Sequence, residues 1–153
     1  MQKSIWLALL VGTGVQAENW PHWRGPSFNG SSPERNLPAQ WSKTENVAWS
    51  LDLPGTSAAT PIVWENHVFL SSTDTRGSAL IAMAVDRKSG QVRWQHKVAD
   101  GLRRDDRSNF AAPSPVNDGQ RAIFFYRSGE LVAYDFAGQP LWARNLQKDF
   151  GEF

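Results

Sequence analysis

The sequence predicts an all-β fold made of repeated four-stranded antiparallel units, and two observations lead to this prediction. From Asn46 onward, short apolar or alternating segments are separated by turns rich in Gly, Pro and Asn, without sustained helical periodicity. A motif at 84–94 then recurs at 133–142. Counting Trp49, Trp94 and Trp142, the recurring tryptophans are 45 and 48 residues apart, which is the length of one four-stranded propeller blade.

The first predicted blade covers about 58–99 and the second about 113–147. In the first, strands are expected at Thr60–Trp64, Val68–Leu70, Ala79–Val85 and Val92–Val98. The third of these is an almost continuous apolar run, which is typical of a strand buried on both faces. In the second, strands are expected at Ser114–Val116, Ala122–Tyr126, Glu130–Tyr134 and Leu141–Leu146. One further strand is predicted at Asn46–Leu51, with partners from the far C-terminus of a longer protein.

The two copies of the motif share four residue types in the same order. These are Ala84, Asp86, Gly90 and Trp94 in the first copy, and Ala133, Asp135, Gly138 and Trp142 in the second. The small alanine allows a neighbouring blade to approach, and the aspartate accepts backbone N–H groups in the turn. The glycine supplies a positive φ. The tryptophan is expected to fill the wedge between adjacent blades. Since the second turn is one residue shorter, its hydrogen bonding is expected to differ.

The pattern Ala-x-Asp-x-x-(Ser/Thr)-Gly-x-x-x-Trp resembles the tryptophan-docking motif of pyrroloquinoline-quinone (PQQ) type propellers. The stretches Trp20–Pro26 and Arg107–Val116 resemble the N-terminus and an inter-blade segment of secreted propellers of planctomycete-type bacteria. The resemblance implies seven or eight blades, so the chain is expected to be an N-terminal fragment of a protein of roughly 400 residues. The alternative is a complete two-blade protein whose sheet edges are covered by oligomerisation.

Residues 1–17 have the pattern of a secretory signal peptide. Lys3 precedes the apolar run Ile5–Val11, and Val15 and Ala17 are small residues at the positions that a signal peptidase requires. The run is shorter than the ~20 residues of a spanning helix. We therefore expect cleavage after Ala17, export to the periplasm or the exterior, and no membrane anchor. Residues 18–45 are expected to form an irregular Trp- and Pro-rich segment, and residues 46–153 the propeller repeats.

The amino-acid composition excludes several classes of function. The chain has no cysteine, which excludes disulfides, thiol catalysis, Cys-ligated metals and the acylated cysteine of a lipoprotein. The formal net charge is +1, and it falls to zero without Lys3, the one charged residue of 1–17. This balance predicts neither a nucleic-acid partner nor an anionic membrane surface.

No catalytic residue and no metal ligand is predicted, and cofactor-binding residues stay unknown. His22, His67 and His96 occur singly and are expected in turns or on the surface. Asp105 and Asp106 could suggest Ca²⁺, but neighbouring arginines favour a solvated loop.

The serine-containing positions and one inter-blade loop are the remaining candidates for a functional site. Ser27 and the run Ser71–Thr73 have no His and Asp context that would make a hydroxyl nucleophilic. The loop Asp100–Ala112 joins the two predicted blades, and it is the best candidate for a functional surface. Ordinary connection between blades is nevertheless the favoured interpretation of this loop.

Three functions follow as hypotheses. The first is a non-catalytic exported propeller that binds a protein or polysaccharide partner, with no cofactor in this fragment. The second, which the resemblance permits, is a dehydrogenase dependent on PQQ and Ca²⁺; such enzymes often carry a vicinal Cys pair, which is lacking here. The third is a propeller of the outer-membrane protein assembly type, a group anchored through an N-terminal lipidated Cys, which this chain also lacks.

Overall fold

Eight of the apolar segments pair into two four-stranded antiparallel sheets. The computed structural model describes residues 18–35, 37–101 and 109–152. The first sheet contains β1 (Ile62–Trp64), β2 (His67–Asp74), β3 (Ala79–Asp86) and β4 (Val92–Asp100). The second contains β5 (Val116–Asn117), β6 (Arg121–Phe125), β7 (Glu130–Asp135) and β8 (Pro140–Asn145). Each sheet is a meander in chain order, which confirms the two predicted blades.

The burial of each strand follows its position in the sheet. Residues 79–85 of β3 are all buried, as the continuous apolar run predicts. On β4, by contrast, exposed and partly buried residues alternate along most of the strand. An outer strand with one covered face has this period of two. The apolar run of β3 and the alternation on β4 therefore match a covered strand and an outer strand of the first sheet.

The two sheets have the same register, with a shorter hairpin in the second. In the first sheet Phe69 pairs with Ala84, and in the second Ile123 pairs with Ala133. Strand β2 has eight residues and β6 has five. Because the motif alanines occupy equivalent ladder positions, the repeat seen in the sequence is a repeat of backbone structure.

The main core lies between the sheets. It joins residues of the first sheet to residues of the second in one buried cluster, which includes Phe69, Ala82, Ala84, Ala122, Phe124 and Tyr134. A second cluster covers the opposite face of the first sheet and includes Leu70, Ile81, Met83 and Val85. Trp49 and Leu51 pack against this second cluster. The first sheet is therefore covered on both faces by parts of this chain.

One predicted strand has no partner in this chain, and one helix was not predicted. Residues 46–51, the predicted orphan strand, pair with no strand of the described chain, and their expected partners lie outside it. A strand requires a hydrogen-bonded neighbour, and residues 46–51 contact the first sheet through side chains. In addition, a five-residue helix α1 (Leu146–Phe150) follows β8, and the Asn145 side chain caps it by accepting from Lys148 N. No helix in 18–35, 37–101 or 109–152 is long and apolar enough to cross a membrane.

The irregular N-terminal segment contacts the innermost strands of both sheets. Trp20 forms an antiparallel bridge with Val63 of β1, with N–O distances of 2.7 and 2.9 Å. The Asn117 amide of β5 donates to the Pro21 carbonyl at 3.0 Å. The Glu65 amide, in the β1–β2 turn, donates to Asn19 Oδ1 at 2.6 Å. This segment therefore links the two sheets along their inner edges.

Candidate functional site

The first motif turn is organised by a single carboxylate. Asp86 Oδ1 accepts hydrogen bonds from Lys88 N at 2.9 Å, from Ser89 N at 2.8 Å and from Ser89 Oγ at 3.0 Å. Gly90 closes the turn with φ +72°, and its amide donates to the Asp86 carbonyl. The aspartate and the glycine therefore have the roles that the sequence predicts for them.

The second carboxylate oxygen of Asp86 binds the guanidinium of Arg93 on β4. The distance from Arg93 Nη2 to Asp86 Oδ2 is 2.5 Å. This bond to Arg93, followed by the amide of Ser89, holds the pKa of Asp86 well below its ordinary range. The other terminal nitrogen of Arg93, Nη1, lies 3.2 Å from His67 Nε2. Asp86, Arg93 and His67 thus form a chain of polar contacts from the motif turn to the start of β2.

Trp49 docks on this first turn. Its indole N–H donates to the Arg87 carbonyl at 2.8 Å. Its ring lies against Gly90 so closely that a Cβ at this glycine would be 2.6 Å from the nearest indole carbon. Glycine is therefore required at position 90 for two reasons: the backbone has a positive φ there, and the Trp49 ring leaves no room for a Cβ.

Trp94 makes the same contacts one sheet further along. Its indole N–H donates to the Phe136 carbonyl at 3.1 Å, and a Cβ at Gly138 would lie 2.6 Å from the indole ring. Trp94 also packs beside Phe69, Phe124 and Tyr134. This confirms that the motif tryptophan fills the space between neighbouring sheets. Trp142, the equivalent residue on β8, is 36 % exposed.

A histidine and a tyrosine extend the contact between the sheets. The ring of His96 stacks on that of Tyr134 with centroids 4.8 Å apart and an angle of 9° between the planes. His96 Nε2 lies 2.8 Å from the Gly138 carbonyl and therefore donates to it. Burial raises the pKa of the Tyr134 phenol. We call the set His67, Phe69, Trp94, His96, Tyr134 and Phe136–Gly138 the inter-sheet seam.

The hydroxyl run Ser71–Thr73 is buried and used in backbone contacts. Ser71 Oγ donates to the carbonyl of Ala111, which also accepts from Ser57 Oγ. Ser72 Oγ donates to the Gly55 carbonyl and Thr73 Oγ1 to the Thr56 carbonyl. These hydroxyls hold the chain segments that lead into the two sheets.

The remaining predicted candidates lie apart from one another. His22 belongs to the N-terminal segment and stacks on Phe28 with ring centroids 3.6 Å apart. His67 and His96 are partly buried in the inter-sheet seam, so the expectation of a turn or surface position is wrong for His96 and incomplete for His67. Ser27 is exposed. Asp105 and Asp106, most of the loop Asp100–Ala112 and the predicted signal peptide 1–17 lie outside the described residues.

The seam is the feature that sequence reasoning on single residues missed. Neither histidine has a neighbouring ligand or catalytic group in sequence. His67 meets Arg93 when the strands of the first sheet pair, and His96 meets the Gly138 carbonyl when the two sheets pack. The sequence nevertheless contains a signal for the position of His96. His96 and Trp94 are two residues apart on β4, so their side chains lie on the same face of the sheet.

The Ca²⁺ ion that accompanies PQQ is held by a cluster of oxygen ligands, which bears on the dehydrogenase hypothesis. Within 18–35, 37–101 and 109–152, no three His, Asp or Glu side chains come together in a group able to hold a metal. Ca²⁺ requires six to eight oxygen ligands. We therefore derive no quinone chemistry from these residues.

Two meandering four-stranded sheets, joined by a tryptophan that docks on the motif turn of its neighbour, define the class of protein: a β-propeller of PQQ-type repeats. Residues 32–152 match the family described as outer membrane protein assembly factor BamB, and the chain belongs to that family. A comparison with curated proteins found no match.

Solved structures of the same architecture resemble the chain at low identity. BamB from Moraxella catarrhalis has 21% identity and a TM-score of 0.47, covering 64% of this chain and 26% of its own. Quinohemoprotein alcohol dehydrogenase from Comamonas testosteroni has 19% identity and a TM-score of 0.43, covering 61% of this chain and 14% of its own. A europium-containing methanol dehydrogenase has 17% identity and a TM-score of 0.41, covering 60% and 16%. The chain thus spans about a quarter, or less, of each of these proteins.

Proposed function

We propose that this chain is part of an exported, non-catalytic β-propeller that binds a protein partner in the cell envelope. The observation that supports the proposal most directly is the use of the recurring side chains. The motif aspartates and glycines, the tryptophans Trp49 and Trp94, and the hydroxyls of Ser71–Thr73 make contacts within or between sheets. A repeat in which most of the characteristic residues serve structure is typical of a scaffold that varies its exposed surface.

The family to which the chain belongs favours a protein over a polysaccharide as the partner. The family is described as an outer-membrane protein assembly factor, so a role beside envelope proteins is the specific form of the proposal. A polysaccharide partner is the alternative within the same class of scaffold. The N-terminal segment offers the exposed aromatic side chains that protein interfaces use, with Trp23 at 59% and Trp41 at 72% exposure.

Partner binding is tested by capture from an envelope extract. The full-length gene product, tagged at its C-terminus, is cross-linked in cells and its partners are identified. We expect envelope proteins to be captured, and Trp23→Ala with Trp41→Ala to weaken capture at least fivefold. Phe150→Ala is the matched control, because Phe150 is at least as exposed, at 76%, but lies at the other end of the chain. Capture of nothing but polysaccharide, or equal loss with the control, would contradict the proposal.

The second candidate function, a PQQ- and Ca²⁺-dependent dehydrogenase, is tested with the same purified protein. PQQ and Ca²⁺ are added, and quinone absorbance and alcohol- or sugar-dependent dye reduction are measured. We expect neither bound quinone nor turnover. Turnover would overturn the non-catalytic proposal, whatever the capture experiment shows.

Export is tested separately. The mature protein from the periplasmic and extracellular fractions is sequenced from its N-terminus. We expect it to begin at Glu18, as cleavage after Ala17 requires. A protein that retains Lys3, or that remains in the cytoplasmic fraction, would contradict the export part of the proposal alone.

A further inference from the structure

His67 accepts a hydrogen bond from a cation. Its Nε2 lies 3.2 Å from Arg93 Nη1, and a guanidinium has donors but no acceptor. Nε2 must therefore carry a lone pair, so the imidazole in this arrangement is neutral with its proton on Nδ1. Arg93 is held in place by its 2.5 Å bond to Asp86, which restricts its ability to move away.

The ring of His67 lies between the two sheets. It is parallel to Phe69 of its own strand, with centroids 5.5 Å apart and an angle of 5° between the planes. It also lies 5.4 Å from the ring of Phe136, in the motif turn of the second sheet. Any displacement of this ring therefore changes a contact between the sheets.

We propose that His67 makes the inter-sheet seam sensitive to mild acid. Protonation places a proton on Nε2, directly opposite the Arg93 guanidinium, and replaces an accepted hydrogen bond by a contact between two cations. Either the imidazole or the guanidinium must then move, and both movements disturb the packing of His67 on Phe136. The seam loosens at acidic pH and re-forms when the imidazole loses its proton.

The groups around His67 act on its pKa in both directions, and the net result is a pKa below the ordinary value. Burial of the ring, followed by the positive charge of Arg93, lowers the pKa of His67 below its ordinary value of 6.5. The backbone of Trp64 and the carboxylates of Glu65 and Asp86 act in the opposite direction. The Trp64 contact is a weak one, since Nδ1 makes no hydrogen bond of standard geometry within the described chain.

The direction of the pH dependence follows from the lowered pKa. A histidine whose pKa is lower in the folded state than in the unfolded state stabilises the fold above about pH 6.5. That contribution is lost as the pH falls from 6.5 through the lowered folded-state value. His96 provides the contrast, because its Nε2 donates to a carbonyl oxygen and does not face a guanidinium.

The proposal is tested by comparing the intact protein with His67→Gln and His96→Gln at pH 7.5 and 5.5. The glutamine side chain of the first variant retains an acceptor for Arg93 and does not titrate. The thermal midpoint of the wild type and of His96→Gln is expected to fall by about 2–4 °C more than that of His67→Gln. Equal acid dependence in wild type and His67→Gln would overturn the proposal.

Two further readouts extend the test, and the first of them, the titration of the wild-type imidazole, remains decisive if a variant does not fold. In NMR titration of the wild-type imidazole signals, His67 is expected to titrate below 6.5. Its midpoint is expected to rise in Arg93→Gln, which removes the opposing charge. The Trp94 indole N–H, bonded to Phe136 across the seam, is expected to exchange faster at pH 5.5 in the wild type than in His67→Gln. A His67 midpoint at or above 6.5 would contradict the mechanism.

Discussion

At the scale of single residues, the contact between Trp94 and Gly138 shows how one position can satisfy two requirements. Gly138 has φ +87°, which L-residues rarely adopt, and it lies directly beneath the Trp94 ring. The indole N–H reaches the carbonyl of Phe136, two residues earlier. The ring and the turn are thus complementary in shape and in hydrogen bonding.

Gly138→Ala is expected to destabilise the chain by about 2–4 kcal/mol, because backbone strain and overlap with Trp94 add together. Urea unfolding measures the change in the free energy of unfolding. The control is Gly30→Ala, at φ +75°, where nothing lies within 4 Å of the added Cβ. This control carries only the backbone strain, about 1 kcal/mol. Equal losses in the free energy of unfolding for the two variants would show that overlap with Trp94 adds nothing to the backbone strain.

Trp94→Phe is expected to destabilise the chain by about 1–3 kcal/mol, because the smaller ring leaves space in the seam and the Phe136 carbonyl loses its donor. Gln95→Ala on the same strand changes an exposed residue and is expected to stay within about 0.5 kcal/mol of the wild type. The free energies come from urea unfolding, and a loss for Trp94→Phe no larger than that control contradicts the docking role.

At the scale of elements, the two motif turns differ in how the aspartate is used. Asp86 Oδ1 accepts from Lys88 N, Ser89 N and Ser89 Oγ, whereas Asp135 Oδ1 accepts from Gln139 N. The second turn is one residue shorter and has no serine equivalent to Ser89. The sequence predicts this difference, since the missing residue and the missing hydroxyl are both visible in it.

Asp86→Asn is expected to flatten the loss of stability at low pH. The Arg93 bond and the Ser89 amide hold the pKa of Asp86 below its usual 3.8, so its contribution is present above pH 3.8. That contribution is lost as the pH falls further. Thermal midpoints between about pH 5 and pH 2.5 measure the effect, with Asp52→Asn, an exposed aspartate outside the sheets, as control. A wild-type slope unchanged by Asp86→Asn would refute the assignment.

At the scale of the whole molecule, chain segments distant in sequence hold the sheets together. Trp20 and Pro21 bond to the inner strands of the two sheets, and Asn19 bonds to the β1–β2 turn. The carbonyl of Ala111 accepts from Ser57 and Ser71. The seam adds ring packing between Trp94 of β4 and Tyr134 of β7, and a hydrogen bond from Trp94 to the turn after β7. The relative position of the sheets therefore depends on the N-terminal segment as well as on the sheets themselves.

Asn19→Ala is expected to accelerate hydrogen exchange of the Glu65 amide by roughly 3–10-fold, the range that one hydrogen bond provides. The cause is the loss of the Asn19 Oδ1 acceptor. Asn29→Ala, in the same segment but bonded to Ser31, should leave Glu65 unchanged. Exchange is followed by NMR on the intact protein. Unaltered exchange in Asn19→Ala would mean that the N-terminal segment does not hold this turn.

Sequence reasoning succeeded wherever the determining contacts are local. The period-two pattern of β4, the apolar run of β3 and the Asp-to-Gly turns all depend on neighbours within a few residues. It failed at α1, which is too short to show a helical period. For the candidate site, the repeat predicted the role of Trp94 but left His67 and His96 without partners.

The sequence by itself determined that this protein is built from repeated four-stranded units with a tryptophan in each, because hydrophobic period and turn chemistry are properties of adjacent residues. Only the tertiary structure decided which turn each tryptophan reaches. Trp49 reaches Arg87 and Trp94 reaches Phe136, 38 and 42 residues further along the chain. It likewise decided that His67 faces Arg93, because packing between strands and between sheets sets such distances and no local pattern encodes them.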